Sequence, residues 1–167
     1  MGNPSSYKKR IPLFMMAAAG FLIALYLGFY QLHFIAHVWE PFFGEGTNRV
    51  VDSSFSRSLP VPDALLGATG YLSDMILVVV GSQNRWHSKP WAVILYAIVV
   101  FLMGMVSLIL LILQPFVLHA WCTLCMASAL LSLAMLVPAF TELIATIQYL
   151  RIETDRGKSF WKVVRAA

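Results

Sequence analysis

Four stretches of this chain stay apolar long enough to cross a lipid bilayer. A hydrocarbon core about 30 Å thick takes roughly 20 residues of helix. The first stretch, residues 11–34, has no Asp, Glu, Lys or Arg. The second, residues 62–81, has Asp63 at its start and is interrupted once further in, by Asp74. The third, residues 91–118, is uncharged, and the fourth, residues 120–143, holds one acid, Glu142, near its end. Of all residues, 59% are hydrophobic and 12% charged, against about 45–50% and about 25% in soluble domains. So much apolar surface cannot be hidden in a soluble particle this small. A water-soluble enzyme, a disordered chain and a secreted disulfide scaffold are therefore excluded. The expectation is an all-α polytopic membrane protein: a bundle of four transmembrane helices in a single membrane domain, residues 1–167.

Lys8, Lys9 and Arg10 precede the first stretch, as in a signal peptide. The apolar run is longer than a signal h-region and no cleavage site closes it, so an uncleaved helix is expected. Lys and Arg then set the orientation. With four spans, ten of the twelve basic residues fall on one side: Lys8, Lys9, Arg10, Arg85, Lys89, Arg151, Arg156, Lys158, Lys162 and Arg165. Only Arg49 and Arg57 fall on the other. Both termini and the tail, residues 144–167, are expected in the cytoplasm. The long loop, residues 35–61, and the turn over residues 114–121 are expected outside. The net charge of +4 thus reflects membrane topology rather than a nucleic-acid face. The loop, with Gly44, Gly46, the serines Ser53, Ser54, Ser56 and Ser58, then Pro60 and Pro62, is the one segment long enough to fold over the bundle as a lid.

The two cysteines form one motif, Trp121-Cys122-Thr123-Leu124-Cys125, at the outer start of the fourth helix. Cys-x-x-Cys on a helix brings both sulfurs to nearly one face. The helix N-terminus carries about half a positive charge, which favours a thiolate. Cys122, nearer that end, is expected to be the more accessible nucleophile. Cys125, about one turn deeper, is better placed for a lipid-soluble electron acceptor. The outer side is also where disulfide chemistry persists. The alternative is a pair of small apolar residues packed in a helix. A structural zinc site would need a second ligand pair.

His33 and His37, at i, i+4 spacing, and His119 lie at the level of the cysteines. They read either as a metal, haem or proton-relay site or as interfacial side chains with a wet edge. Asp74, deep in the second span, should face the bundle, with Tyr26 or Tyr30 as a possible partner; it reads as part of a proton path or as a polar clasp between helices. Glu142 is expected at the interface. Trp39, Trp91 and Trp121 fit an aromatic belt, and Gly20 or Ala17–Ala19 would allow close helix contact.

The order of spans, the long outer loop and the Cys-x-x-Cys position together resemble the vitamin K epoxide reductase family. The resemblance covers about residues 11–145. Thr47-Asn48-Arg49-Val50-Val51-Asp52-Ser53-Ser54-Phe55 is similar to the family's outer-loop segment, with Ser53 at its serine. Pro62-Asp63-Ala64-Leu65-Leu66-Gly67 is similar to the opening of its second helix, and His119-Ala120-Trp121-Cys122-Thr123-Leu124-Cys125 to its redox motif. In that family electrons pass from a partner thiol through two loop cysteines to the Cys-x-x-Cys, then to a quinone in the bundle. The resemblance implies that Cys122 exchanges disulfides, that Cys125 contacts the quinone, and that Ser53 and Asp63 help to bind it. Asp63 stands where members often have an asparagine that hydrogen-bonds a quinone carbonyl. An ionised aspartate only accepts, so it would repel that oxygen unless protonated. Thr47 and Trp39 stand where the two loop cysteines would be, and Ala129 where some members have a tyrosine. A self-contained relay is therefore impossible: either a partner's thiols reach Cys122 directly, or the electron-transfer role has changed.

The function expected is a thiol–disulfide oxidoreductase of a bacterial inner membrane, with the Cys-x-x-Cys at its outer face. It would carry electrons from an extracytoplasmic, thioredoxin-like dithiol to ubiquinone or menaquinone. Two alternatives stand beside it: an accessory or assembly subunit of a membrane complex that keeps the fold, and outer-face metal handling through His33, His37, His119 and the cysteines.

Overall fold

The computed structural model describes residues 5–44, 46–53, 62–157 and 164. Among these residues the regular structure is helical throughout. The elements are α1 (Tyr7–Gln31), α2 (Gly46–Val51), α3 (Asp63–Val79), α4 (Arg85–Ser88), α5 (Pro90–Leu113), a π-helical turn (Gln114–Leu118) and α6 (Thr123–Asp155). Residues 54–61 of the expected outer loop, with Ser54, Ser56, Arg57, Ser58 and Pro60, lie outside the described residues, as do Lys158, Lys162 and Arg165 of the expected tail.

The four long helices pack as a closed ring, in which α1 contacts α3 and α6, and α5 contacts α3 and α6. Three segments are long and apolar enough to cross a membrane: Tyr7–Gln31, Pro90–Leu118 and Thr123–Asp155. The second expected span is shorter than its stretch of sequence, because α3 has 17 residues and is about 25 Å long at ~1.5 Å per residue. Apolar side chains cover the outside of the bundle, among them Ile11, Leu22, Leu102, Val106, Leu130 and Val137. This surface is that of an integral membrane protein, which lipid rather than a protein core must cover.

Small residues set the tightest contact. On α1, Ala17, Gly20, Ala24 and Gly28 are buried on one face. A Cβ on Gly20 would meet the Tyr71 ring at 2.4 Å, and one on Gly28 would meet Leu65 at 2.4 Å. The close approach of α1 to α3 thus depends on missing side chains, as is common between membrane helices. Tyr71, Tyr96, Val78, Val100 and Met135 fill the core below this contact. A smaller cluster of Leu27, Val38 and Val51 packs against Leu124 and Cys125 at the other end.

Helix ends depart from expectation at two places. α1 stops at Gln31, where the Leu32 N–H returns to the Gly28 carbonyl at 3.0 Å and His33 turns left-handed at φ 61°. α6 runs to Asp155, well into the expected tail, because Glu142, Thr146, Leu150 and Glu153 continue a buried stripe at helical spacing. Tyr149 on this extension packs against the Trp86 ring edge to face, centroids 5.8 Å apart.

A buried ionic cluster closes the end of the bundle opposite the cysteines. Arg85 is fully buried and holds Glu142 through two bonds, Nε to Oε1 at 2.6 Å and Nη2 to Oε2 at 2.5 Å. Its Nη1 donates to the Leu77 carbonyl at 2.5 Å and to Val78 at 3.1 Å. Arg10 donates from Nε to the same Val78 carbonyl at 2.6 Å and from Nη1 to Gly81 at 2.9 Å. Two guanidinium groups therefore satisfy the open carbonyls at the C-terminus of α3, where the helix dipole is negative. Glu142 also accepts from the Ser5 hydroxyl. The expectation of an interfacial Glu142 is thus corrected: a buried arginine from the α3–α5 connection draws it inside.

Candidate functional site: a disulfide between a latched loop and an apolar cavity

The turn before α6 places the first cysteine. Pro115 lacks an N–H, the chain widens into the π-helical turn, and His119 reverses it at φ 47°. The Ala120 N–H closes the turn on the Gln114 carbonyl at 3.2 Å, and the buried Gln114 side chain accepts the Cys122 N–H at 3.2 Å. Cys122 is then the extended N-cap of α6, and its sulfur accepts the Cys125 N–H at 3.0 Å. Cys122 and Cys125 form a disulfide with Cα atoms 5.2 Å apart. A sulfur at this cap takes an otherwise unmatched donor of the first helical turn.

The two sulfurs see different surroundings. Cys125 lines a cavity of about 460 Å³ between α1, α2, α3, α5 and α6. The walls are mostly aliphatic, with Ser53, Asp63, Gln31, Gln114 and Tyr71 among the few polar side chains. Cys122 has 0% of its surface exposed. The expectation that Cys122 is the more accessible thiol is therefore reversed.

Glu40 ties the outer loop down. Its carboxylate accepts the Thr123 N–H at 3.0 Å and the Thr123 hydroxyl, so it supplies a second, external cap to α6. It also accepts the Thr47 hydroxyl and the N–H groups of Phe42 at 3.2 Å and Phe43 at 3.4 Å. Burial alone would raise this carboxyl, but the hydrogen bonds from Thr123, Thr47 and Phe42 outweigh it and hold the group at about 2. Beside it, Phe43 stacks on Trp121, centroids 6.2 Å apart. A Cβ on Gly46 would stand 2.2 Å from the Trp121 carbonyl, so only glycine lets α2 sit this close.

The residues singled out in the sequence are partly brought together. Ser53 and Asp63 line the cavity with Cys125. Asp63 accepts from the Gln31 side-chain amide and, at 2.9 Å, from the Ala64 N–H, at the start of α3. Thr47, at the position of a relay cysteine, is buried and bonded to Glu40; Trp39, at the other, is exposed. His33 and His37 share no helix face, since α1 ends before them, and the described residues contain no group of three or more His, Cys, Asp or Glu able to hold a metal ion. Tyr30 and Tyr26 do not serve Asp74. The Tyr30 hydroxyl donates to Asp52 at 2.9 Å, and the Tyr26 oxygen accepts the Trp39 N–H at 3.2 Å. Asp74 is buried in the core, one turn beyond Tyr71, whose hydroxyl donates to the Ser128 carbonyl at 2.6 Å.

Sequence reasoning missed Glu40, Gln31, Gln114 and Tyr71. Nothing in their spacing marks them: Glu40, Gln31 and Tyr71 act across long sequence separations, and Gln114 acts on Cys122 only through the turn between them. The Arg85–Glu142 pair did carry a signal: opposite charges at the same end of neighbouring spans.

A model of the vitamin K epoxide reductase family matches residues 11–140, a range that contains the disulfide, the latched loop and every cavity residue named above. No match was found among curated proteins.

Proposed function

The chain belongs to the vitamin K epoxide reductase family, and from that membership we propose that it is a membrane thiol–disulfide oxidoreductase linking an extracytoplasmic dithiol to a membrane quinone. The observation that carries the reading is the place of Cys125, in the wall of an apolar cavity and joined to a fully buried partner sulfur. A cavity of about 460 Å³ is within the usual ~300–1,000 Å³ range for small-molecule sites, and an aliphatic lining with few polar groups is their usual character. These walls fit a quinone ring and the start of an isoprenoid tail. Ser53 and the Gln114 amide are the side chains suited to orient its carbonyls, while the Gln31 amide donates to Asp63 and to the Val51 carbonyl and so ties the cavity rim together.

A quinone in that cavity would supply a sink for two electrons and two protons. The chain's own part begins with a partner thiolate attacking Cys122, which forms a mixed disulfide and releases Cys125 as a thiolate. The second partner thiol then resolves the mixed disulfide and leaves Cys122 reduced. Cys125 faces the cavity and Cys122 accepts the Cys125 N–H, so the pair can return to the disulfide as its two electrons leave through the cavity. No loop cysteine takes part, because Thr47 and Trp39 occupy those positions. The partner must therefore reach Cys122 itself, which requires the Glu40 latch to open.

The orientation follows from charge. Arg10 and Arg85 sit at the end of the bundle opposite the cysteines, about 30 Å away along the 20 residues of α6 from Cys122 to Glu142. The positive-inside rule puts that end in the cytoplasm and the disulfide outside. On this reading α3 is the fourth span, its basic end closed by the two arginines, and the membrane is a bacterial inner membrane.

A Cys125→Ser variant expressed in cells tests the partner step. A covalent adduct on Cys122, released by reductant, is expected. A second reading, an accessory subunit that keeps the fold, draws on the burial of Cys122. Absence of the adduct, together with normal growth and complex assembly when both cysteines are serine, would favour it.

A further inference from the structure

The family's loop carries relay thiols; this loop carries a carboxylate bonded to the first residue of the redox helix. We propose that Glu40 is a positioning residue that biases the Cys122–Cys125 couple towards the disulfide and holds the loop closed over Cys122. The inference rests on the reading of this pair as the redox pair.

Two effects converge on Cys122. The first is electrostatic. The N-terminus of α6 would stabilise a Cys122 thiolate through its partial positive charge and its free N–H groups. Glu40 places a full negative charge on that terminus, 3.0 Å from the Thr123 N–H, the residue next to Cys122. A thiolate beside this carboxylate loses the advantage of the helix end, whereas a neutral disulfide does not. The reduced form is therefore less favoured than in an uncapped Cys-x-x-Cys. The second effect is steric. Glu40 joins three separate pieces of chain: the loop at Phe42 and Phe43, α2 at Thr47, and α6 at Thr123. With Gly46 against the Trp121 carbonyl and Phe43 stacked on Trp121, this closes the outer approach to Cys122.

Both effects are read without quinone or partner. The purified full-length chain in lipid nanodiscs is equilibrated with mixtures of reduced and oxidised dithiothreitol, then alkylated and weighed by mass spectrometry. In this exchange dithiothreitol gives two electrons and two protons to the disulfide, leaving two cysteine thiols and its own cyclic disulfide. E40Q keeps the shape, removes the charge and turns one of the two accepting oxygens into a donor. It is expected to raise the reduction equilibrium constant about tenfold, which is about 30 mV for a two-electron couple. E40D should stay within about threefold of the unaltered chain. Thr47→Val keeps the charge and removes one tie, so its disulfide should be reduced several-fold faster at an unchanged equilibrium constant. An E40Q constant within twofold of the unaltered chain, or a Thr47→Val variant reduced no faster, overturns the assignment. A chain that shows these shifts but cannot reduce a quinone retains the role of Glu40 and loses the proposed function; one that reduces quinone without them does the reverse.

Discussion

Cys122 and Cys125 are joined to each other but face different compartments of the structure. Cys122 is fully buried beside Thr123, which Glu40 of the loop caps, and Cys125 forms part of the cavity wall. An electron carrier needs this asymmetry, because one sulfur must meet protein and the other a lipid-soluble acceptor. With the single thiols exposed one at a time, Cys122→Ser should leave a Cys125 that reacts with an apolar maleimide and is protected by a quinone analogue. Cys125→Ser should leave a Cys122 that a charged maleimide labels at least several-fold more slowly. Mass spectrometry of the intact chain measures both.

Gly46 should control access to Cys122. A methyl group there would meet the Trp121 carbonyl, and overpacking of this kind typically costs about 1–3 kcal/mol. Gly46→Ala should displace the loop and speed disulfide reduction by dithiothreitol, with the helical circular dichroism retained. Reduction at the original rate would mean that the loop is not the barrier.

The loop should also respond to acid. The Glu40 carboxyl lies at about 2 in the folded chain against its ordinary 4.5. A carboxyl lowered by folding contributes stability that is complete above its unfolded value and is lost as pH falls through its folded value. Closure should therefore be constant from pH 5 to 8 and weaken between about 4.5 and about 2. Phosphine reduction of the disulfide, which proceeds in acid, should accelerate over that window, and E40Q should flatten the change.

At the opposite end, Arg85→Ala should be among the most destabilising single changes. It strands the Glu142 carboxylate in the bundle, and breaking a buried pair in this way costs about 3–5 kcal/mol. Arg85→Met with Glu142→Met should recover most of the loss, as judged by thermal unfolding in detergent. A single variant as stable as the original chain would show that the cluster carries no stability.

Asp63→Asn tests the departure at the cavity rim. The amide adds a donor where the carboxylate only accepts, and one extra hydrogen bond is worth about 0.5–1.5 kcal/mol. A quinone analogue should bind roughly 2–10-fold more tightly to the variant, measured by calorimetry.

Much of this architecture is written in local sequence. Stretches of apolar residues announce the helices. The cysteine motif and the small residues of α1 also speak for themselves. What the sequence hides are contacts between distant segments. Glu40 reaches Thr123 across 83 positions and Arg85 reaches Glu142 across 57. Helix ends misled for a related reason. The stretch from residue 32 to residue 34 stays apolar but turns left-handed at His33, while Glu142 belongs to a buried face because Arg85, distant in sequence, takes up its charge. Hydropathy records neither.

The most direct measurement is anaerobic. The chain is reduced, freed of reductant and mixed with a short-chain quinone, while quinone absorbance and cysteine oxidation are followed together. One quinone should disappear for each Cys122–Cys125 disulfide formed, and Cys125→Ser should abolish both changes. Quinone that persists beside a fully reduced pair, or that is consumed equally by the chain lacking both cysteines, would contradict the assignment of this disulfide to electron transfer.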